Sequence, residues 1–209
     1  MISSQIGSLD KIFLGGLQNG IITEISGLRG TGKTHFALQF AIEPLRNNNK
    51  ILFIDTTVEF RPERFLQMLH SRNLSTSLLE NLHVSRVTNT QKQTEILTNF
   101  NDHNFSLLII DNITDLFAFE YSKKEQTIEK NLNFGNYMIN LSKLALSKNI
   151  PIIITNQILS YNEKNYERMQ TQLEKIKNNY TCKVLCPFIP ETKFDYKITN
   201  SGIEETESI

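Results

Sequence analysis

The sequence predicts an α/β fold with a mostly parallel central sheet and helices on both of its faces. Two observations lead to this prediction. Short, continuous apolar runs, which are typical of strands buried on both sides, alternate along the chain with longer segments whose apolar residues recur at helical spacing. A glycine-rich segment lies between the first apolar run and the first helical segment, at residues 27–34. Strands that alternate with helices pair in parallel through right-handed crossovers, so we expect one sheet covered on both faces.

Five strands and four helices are predicted in alternation. The apolar runs place the strands at residues 21–26, 50–55, 82–87, 106–111 and 151–156. Helical spacing places the helices at residues 33–46, 62–72, 90–100 and 126–148. In the last helix, the residues expected to face the core are Leu132, Tyr137, Leu141, Leu144 and Ala145. Alternation over residues 194–199, followed by a turn at 200–202, predicts an antiparallel edge of the sheet near the C-terminus.

Length and composition indicate a single domain. The 209 residues suit one domain over residues 1–209, in which residues 203–209 are expected to form a frayed acidic tail. The sequence has no apolar run of about eighteen residues and no N-terminal signal pattern, which argues against a membrane span and favours the cytoplasm. Cys182 and Cys186 have no histidine cluster beside them, so two reduced thiols are expected rather than a zinc site, which needs about four ligands.

The balance of charge makes extensive DNA binding unexpected. The chain has 22 basic and 22 acidic residues and a formal net charge of zero. Proteins dedicated to duplex DNA usually carry a basic excess, because neutralisation of phosphates dominates their affinity. Any contact with nucleic acid is therefore expected to be local, weak or shared with a partner.

The glycine-rich segment fits the phosphate-binding pattern G-x-x-x-x-G-K-[ST] at every position. Its residues are Gly27, Leu28, Arg29, Gly30, Thr31, Gly32, Lys33 and Thr34, and His35 follows them. A strand before the pattern and a helix after it allow backbone N–H groups and the helix N-terminus to surround phosphates. Lys33 is expected to reach the β- and γ-phosphates, and the Thr34 hydroxyl is expected to bind Mg²⁺. The sequence therefore predicts a site for a nucleoside triphosphate.

Two further strands end in polar residues that suit the same site. Asp111 ends an apolar strand and, opposite a phosphate-binding loop, is expected to hold the Mg²⁺ shell through water. A strand-end aspartate that caps a turn is the alternative for Asp111. Asn156 and Gln157 end the next strand, where an amide is able to contact the γ-phosphate and report it to the following loop.

Several motifs follow one another along the chain in an order that is known from a protein family. These motifs are Leu9-Asp10-Lys11 with Gly15-Gly16, the glycine loop, Asp55-Thr56 with Phe60-Arg61-Pro62-Glu63-Arg64, Asp111, Thr155-Asn156-Gln157, and Cys186-Pro187 with Pro190-Glu191. Together they resemble the ATPase core of the RecA/RadA recombinase family over nearly the whole chain, and residues 60–64 are their most specific part. Because the sequence starts at this core, without the N-terminal helical domain of archaeal and eukaryotic members, it is most similar to short recombinase paralogues of the RadB type.

The resemblance implies a RecA-like fold with ATP and Mg²⁺ as cofactors. Carried over by position, Lys33 and Thr34 hold phosphate and Mg²⁺, and Asp111 supports the metal. Gln157 senses the γ-phosphate. Arg64 packs its guanidinium on the adenine face in such proteins, although a solvated helix residue is equally compatible with the sequence.

The chain departs from the family at the position of the catalytic base. Active recombinases carry a glutamate two residues after the aspartate that ends the second strand, and this glutamate activates the attacking water. Thr57 occupies that position here, and a threonine is not a general base at neutral pH. Glu59 lies two residues further on, about 6–7 Å away in an extended segment, so it replaces the base only if the loop kinks. We therefore expect slow hydrolysis, typical of an ATP-binding switch or clamp.

The first segment that corresponds to a DNA-binding loop of the family is residues 119–125. It contains Lys123 and Lys124, which are able to contact phosphates. The arginine and glycine pattern of the strand-exchange proteins is missing from it, so strand exchange itself is not expected.

The second such segment follows Gln157. It contains Lys164 and Arg168 among tyrosines, a composition that is able to stack bases and follow a single strand. The same composition also describes a solvated loop, which we favour. Residues 166–178 have helical propensity, whereas the resemblance implies a strand around Leu173.

Three functions are compatible with these observations. The leading hypothesis is an ATP-binding recombinase paralogue that assists homologous recombination and DNA repair in the cytoplasm, with the nucleoid. Its expected partners are a full-length RecA/RadA-type recombinase, single-stranded DNA bound weakly, and other subunits of a homo- or hetero-oligomer. A KaiC-like regulatory ATPase is the alternative, because residues 30–40 are very like its phosphate-loop helix, although residues 60–64 do not belong there. A pure interaction protein with a vestigial nucleotide site is disfavoured by intact Lys33, Thr34 and Asp111.

Overall fold

The molecule is built on a six-stranded parallel sheet with helices on both faces. The computed structural model describes residues 1–100 and 104–157 and the backbone of three further strands. The strands are β1 (Ile22–Gly27), β2 (Lys50–Asp55), β3 (Leu82–Arg86), β4 (Phe105–Asp111), β5 (Ile152–Gln157), β6 (Cys182–Leu185), β7 (Tyr196–Thr199) and β8 (Gly202–Glu205). The helices are α1 (Gly7–Ile12), α2 (Lys33–Arg46), α3 (Pro62–His70), α4 (Thr90–Asn99), α5 (Asp115–Glu120) and α6 (Thr127–Lys148). Two 3-10 turns lie at Thr76–Asn81 and Lys124–Gln126.

The strand order brings the polar ends of four strands together. The order is β3-β2-β4-β5-β1-β6, and every pairing in this sheet is parallel. Asp55 of β2 pairs with Asp111 of β4, and Gly27 of β1 pairs with Gln157 of β5. The glycine loop therefore starts at the same edge of the sheet as the predicted magnesium and γ-phosphate residues.

The strands are buried on both faces because their apolar side chains alternate between two hydrophobic clusters. Phe53 and Ile153 belong to the cluster that contains the apolar residues of α2 and α3. Their neighbours Ile54 and Ile154 belong to the cluster that contains the apolar residues of α6. This arrangement confirms the predicted α/β class, with helices on both sides of the sheet.

The predicted helices begin and end at residues with suitable backbone geometry. Pro62 occupies the first turn of α3, where a missing N–H costs no hydrogen bond. Asn89 precedes α4, and its side chain accepts a hydrogen bond from the Lys92 N–H at 2.8 Å. Asn149 follows α6 in the left-handed conformation at φ 53°, a conformation that asparagine tolerates.

The predicted core stripe of α6 is wrong at one position. Tyr137, Leu141, Leu144 and Ala145 are buried, but Leu132 has 62% of its surface exposed. Phe134 packs against the core instead, since it is partly buried and in edge contact with Phe117. At the start of this helix, the buried face predicted from helical spacing therefore differs from the observed one by about half a turn.

The C-terminal strands differ in detail from the predicted edge. β7 and β8 pair antiparallel, as the alternation and turn indicated, but they form a two-stranded sheet of their own. The parallel strand β6, which was not predicted, borders β1 instead. Glu204 and Glu205 belong to β8 rather than to a frayed tail. Residues 166–178, including Leu173, and residues 206–209 lie outside the described part of the chain.

Two short helices were also not predicted, namely α1 and α5. Each contains six residues, which is too short for a helical period to be recognised. None of the helices in the described ranges has the length and apolar character needed to cross a membrane.

Candidate nucleotide site

A cavity of about 440 Å³ lies at the carboxyl edge of the sheet, between the glycine loop and the ends of β2, β4 and β5. Its volume falls in the range typical of small-molecule sites. The sequence-predicted residues that line it are Arg29, Gly30, Gly32, Lys33, Thr34, His35, Glu59, Arg64, Asp111 and Gln157. The folded chain therefore brings together residues that are separated by more than half of the sequence.

The glycine loop has a compact conformation that favours glycine at two positions. A Cβ on Gly27 would lie 2.6 Å from Thr31 Oγ1, so a side chain there would displace the Thr31 hydroxyl. Gly32 has φ 84° directly before α2, in the left-handed region that favours glycine. The Thr31 hydroxyl donates to the Leu28 carbonyl at 2.8 Å, which fixes the curl of the loop.

Lys33 is held against this loop, with its Nζ donating to the Leu28 carbonyl at 2.8 Å. Burial lowers the pKa of Lys33, and three nearby carboxylates oppose that shift. These carboxylates are Asp111, Asp115 and Glu59. The ammonium group therefore lies in a partly desolvated position, where its attraction for phosphate is stronger than in water.

Thr34 and Asp111 are in direct contact at the start of α2 and the end of β4. The Thr34 hydroxyl donates to Asp111 Oδ2 at 2.6 Å, and the Thr155 hydroxyl donates to Asp111 Oδ1. Burial raises the pKa of Asp111, while the two hydrogen bonds and the Lys33 charge oppose this rise. A hydroxyl and a carboxylate side by side fit Mg²⁺, which binds few protein oxygens and completes its shell with water and phosphate.

A chain of hydrogen bonds connects the segment after β4, the end of β5 and the middle of β1. The Thr114 hydroxyl donates to Asn156 Oδ1 at 2.9 Å, and Asn156 Nδ2 donates to Glu24 Oε1 at 3.0 Å. The Thr114 N–H donates to Asn112 Oδ1 at 3.0 Å. Gln157 is the last residue of β5 and directly follows Asn156, so its backbone is held by the strand and by this network.

Arg64 lines the cavity from α3 and is half-buried. Its Nε donates to His35 Nε2, and its Nη1 donates to Gln67 Oε1 at 2.9 Å. Burial lowers the pKa of His35, and the Arg64 charge lowers it further. A neutral His35 thus accepts from Arg64 and holds the guanidinium plane at the cavity wall.

Thr57 is bound to the strand end rather than directed outward. Its N–H and hydroxyl both donate to Asp55 Oδ1, at 3.1 Å and 3.0 Å. Asp55 is buried, and its other oxygen accepts from the Phe60 N–H at 3.2 Å. Asp55 therefore organises the loop after β2, and Thr57 contributes only a hydroxyl to the cavity.

Glu59 pairs with Arg29 of the glycine loop across the cavity mouth, at 3.1 Å. Both side chains are largely exposed, 65% for Glu59 and 79% for Arg29. An exposed ion pair of this kind contributes little stability. Its effect is to direct the Glu59 carboxylate toward Arg29.

The predicted DNA-binding residues do not lie in this cavity. Lys123 and Lys124 are exposed at the turn between α5 and α6. In the same segment, the Tyr121 hydroxyl accepts from Asn133 Nδ2 at 2.8 Å, which ties the turn to α6. Lys164 and Arg168 lie outside the described residues.

Some residues of the site were not identified from the sequence. Leu38, Arg61 and Asn112 line the cavity, although Arg61 belongs to the motif at residues 60–64. Asp115, at the start of α5 and four residues after Asp111, interacts electrostatically with Lys33. Its only sequence signal is an acidic residue four positions after Asp111. The residues that line the cavity within the described ranges do not include Gly27, Leu28 and Thr31.

Comparison with known proteins gives one family match. The model of the Rad51 family matches residues 1–177. The DNA repair and recombination protein RadB of Thermococcus sibiricus (strain DSM 12597 / MM 739) is 29% identical over 228 aligned positions, which cover 100% of this chain and 97% of the relative. Two RadA proteins of Methanococcus maripaludis are also similar. The RadA protein of strain C5 / ATCC BAA-1333 is 27% identical to this chain, over 98% of this chain and 76% of the relative. The RadA protein of strain C6 / ATCC BAA-1332 is 30% identical, over 75% of this chain and 56% of the relative.

Proposed function

Because the chain belongs to the Rad51 family, we propose that it is an ATP-binding recombinase paralogue that acts in homologous recombination and DNA repair. It hydrolyses ATP slowly and modulates a full-length RecA/RadA-type recombinase on single-stranded DNA. The names of its relatives, DNA repair and recombination proteins RadB and RadA, support the general role. Action on DNA would place it with the nucleoid in the cytoplasm.

The contact between Thr34 and Asp111, beside Lys33, carries the proposal of ATP binding. Lys33 binds the β- and γ-phosphates, and the loop N–H groups surround them. Thr34 and Asp111 would hold Mg²⁺, which would supply positive charge to the phosphate oxygens.

Two further residues give the site its selectivity for ATP. Gln157 lies beside Gly27 in the sheet register and lines the cavity, which suits contact with the γ-phosphate. Arg64 offers a planar cation for stacking on adenine, and its hydrogen bonds to His35 and Gln67 restrict its orientation.

Slow hydrolysis follows from the chemistry at Thr57. General-base catalysis contributes about 10²- to 10⁴-fold to a rate, and a hydroxyl bound to Asp55 does not supply it. Bound ATP then persists longer than in a fast ATPase, so the ATP-bound conformation of the protein lasts longer. This property suits a protein that modulates a recombinase.

The KaiC-like alternative shares the fold and the glycine loop. The Rad51 match over residues 1–177 and the RadB and RadA relatives favour the recombinase branch instead. We therefore retain one proposed function.

The first test of this function is ATP-dependent thermal stabilisation. With Mg²⁺ and ATP at about 100 times Kd, binding adds about 2.7 kcal/mol, which raises the Tm of a domain of this size by roughly 5–10 °C. Lys33→Ala should abolish that shift, whereas Lys143→Ala, on the exposed side of α6, should retain it. An unchanged shift in Lys33→Ala would contradict the assigned site.

The second test is binding to partners with and without ATP. We expect the purified protein to retain a full-length RecA/RadA-type recombinase in an affinity assay, and to change the amount of that recombinase on single-stranded DNA. Failure to bind either the recombinase or single-stranded DNA at low salt would contradict the proposed role in recombination.

A further inference from the structure

Helix α6 has a second apolar stripe, on the side opposite to the one that faces the sheet. Four apolar residues of this stripe are exposed, to 75%, 62%, 37% and 59% of their surface, namely Ile128, Leu132, Ile139 and Leu146. At about 100° per residue they fall within about 40° of one another around the helix, whereas the buried residues Tyr137 and Leu144 lie on the opposite side. Packing of α6 on its own core therefore does not account for the stripe.

The spacing along the stripe is that of a coiled-coil seam. With Gly135 and Ser142 between them, its residues occupy positions that are separated alternately by four and three residues. The seam extends over most of α6, which has 22 residues and is about 33 Å long at about 1.5 Å per residue. Gly135 leaves space on this side of the helix, because a Cβ built on it meets no atom within 4 Å. The exposed face of α6 thus has the pattern with which one helix packs along another.

The seam is complementary to itself when two copies of α6 lie antiparallel. Aligned at their midpoints, the residues that face each other between the copies are Ile128 with Leu146, Leu132 with Ser142, and Gly135 with Ile139. Each small residue then meets a large one, which suits close packing. In a parallel pair, Gly135 would face Gly135 and leave a gap in the middle of the seam. The distribution of large and small residues therefore favours an antiparallel pair of identical helices.

The charges beside the seam have the same complementarity. Glu129, Asn136 and Lys143 are exposed and follow one another at intervals of seven residues along one flank. Two antiparallel helices turn this flank toward its own copy, so Glu129 of each copy lies opposite Lys143 of the other, and Asn136 meets Asn136. Charged residues beside a seam set partner choice and orientation. Within residues 1–100 and 104–157, neither Glu129 nor Lys143 is in an ion pair, so both are available to a second copy.

We propose that the exposed face of α6 is the interface of a symmetric, antiparallel homodimer, and that the partner it fits is a second copy of this chain. The residues that line the nucleotide cavity in the described ranges include none of this face, so the inference does not depend on ATP binding. A single pair of helices is at the small end of specific interfaces, so the dimer is weak and dissociates on dilution. Leu132 is exposed in the dilute monomer, and the stability of that monomer is insensitive to the seam.

Sedimentation equilibrium of the full chain measures the dimer. We expect wild type to change from monomer to dimer between about 1 and 200 µM, the range of weak interfaces. Ile128→Gln removes an apolar contact from both ends of the seam and should raise the dimer Kd about 10-fold or more. Leu14→Gln is the matched control, because Leu14 is 73% exposed but lies after α1, and it should leave the dimer Kd unchanged. Circular dichroism checks that each variant is folded.

Charge reversal tests the antiparallel orientation. Glu129→Lys alone and Lys143→Glu alone each bring like charges together across the seam, and each should raise the dimer Kd about threefold or more. The double variant Glu129→Lys/Lys143→Glu restores opposite charges and should return the dimer Kd to within about twofold of wild type. In a parallel dimer, residues 129 and 143 would be far apart, and the double variant would not be rescued.

Three results would overturn the inference. A monomer throughout the concentration range would leave the face of α6 to a partner of another kind. A dimer whose Kd is unchanged in Ile128→Gln would be held by a different surface. A dimer that Ile128→Gln weakens, but that the double charge variant does not restore, would contradict the antiparallel arrangement. ATP binding is tested separately by Lys33→Ala, so the failure of either proposal is distinguishable from that of the other.

Discussion

Asp111 is a carboxylic acid side chain with only 7% of its surface exposed, and specific contacts oppose the effect of its burial. Burial favours the neutral acid, whereas the hydroxyls of Thr34 and Thr155 and the charge of Lys33 favour the carboxylate. Hydrogen bonds to a charged group contribute about 1.5–3 kcal/mol each, enough to offset much of the desolvation. Two of the residues that favour the Asp111 carboxylate, Thr34 and Lys33, are also those proposed to bind Mg²⁺ and phosphate, so the proposed nucleotide site shares contacts with the folded structure.

Thr57→Glu restores the carboxylate that the family carries at this position, and we expect it to raise the rate of ATP hydrolysis by about 10-fold or more. The loop after β2 already brings residue 57 to the cavity wall. The measurement is steady-state phosphate release at saturating ATP, with Thr57→Gln as the control of equal length and no charge. Equal rates in the two variants would show that the position of Thr57 does not limit hydrolysis.

Residues of the site that belong to contiguous motifs could be predicted, and residues brought in by tertiary structure could not. Lys33 and Thr34 follow from one eight-residue pattern, and Asp111 and Gln157 from the ends of apolar strands. Leu38 and Asn112 line the cavity because α2 and the segment after β4 border it, which no local pattern indicated.

At the scale of elements, α6 shows two faces of different character. Leu141 is fully buried in the hydrophobic cluster on its side of the sheet, whereas Leu132 on the same helix is 62% exposed. The two leucines have similar sequence surroundings, so their burial was not distinguishable from helical spacing. The structure assigns them opposite roles in stability.

Leu141→Ala should lower the free energy of unfolding by about 2–5 kcal/mol, because it removes buried methyl groups and leaves a cavity. Leu132→Ala is the matched control, and we expect a change of no more than about 0.5 kcal/mol. Chemical denaturation followed by circular dichroism measures both differences. A large loss in Leu132→Ala would mean that this side chain is covered in solution.

The elements that the sequence predicted correctly are long or continuously apolar. Strands β2 and β4 have uninterrupted hydrophobic runs, and α2 has the predicted bounds, from Lys33 to Arg46. The β7–β8 hairpin was predicted from local alternation, but its position outside the main sheet depends on non-local contacts. Local patterns thus determined what forms, and tertiary packing determined where it lies.

At the scale of the whole molecule, charge neutrality limits the interaction with nucleic acid. The 22 basic and 22 acidic residues leave no excess for a long phosphate track. The lysines at the turn between α5 and α6 form a small basic segment that is exposed. A short contact shared with a recombinase is therefore the form of DNA binding that the composition supports.

We expect single-stranded DNA binding to weaken only modestly with salt. If Lys123 and Lys124 each contact one phosphate, the double variant Lys123→Ala/Lys124→Ala should reduce the slope of log K against log salt by about 1.4. Fluorescence anisotropy over a salt series measures this slope, with Lys143→Ala/Lys148→Ala as the control of equal charge. An unchanged slope in the first variant would exclude the α5–α6 turn from the DNA contact.

Because β1 lies inside the sheet, the glycine loop that follows it reaches its final structure only late in the synthesis of the chain. The glycine loop leaves the ribosome early, but the strand that carries it is hydrogen-bonded to β5 and β6, which are made much later. Pairing over such sequence separations is slow, because the intervening chain must first be ordered. Nascent chains that end before residue 152 lack the neighbours of β1, so ATP is able to protect only chains that are nearly complete. Nucleotide binding would thus distinguish finished molecules from prematurely terminated ones.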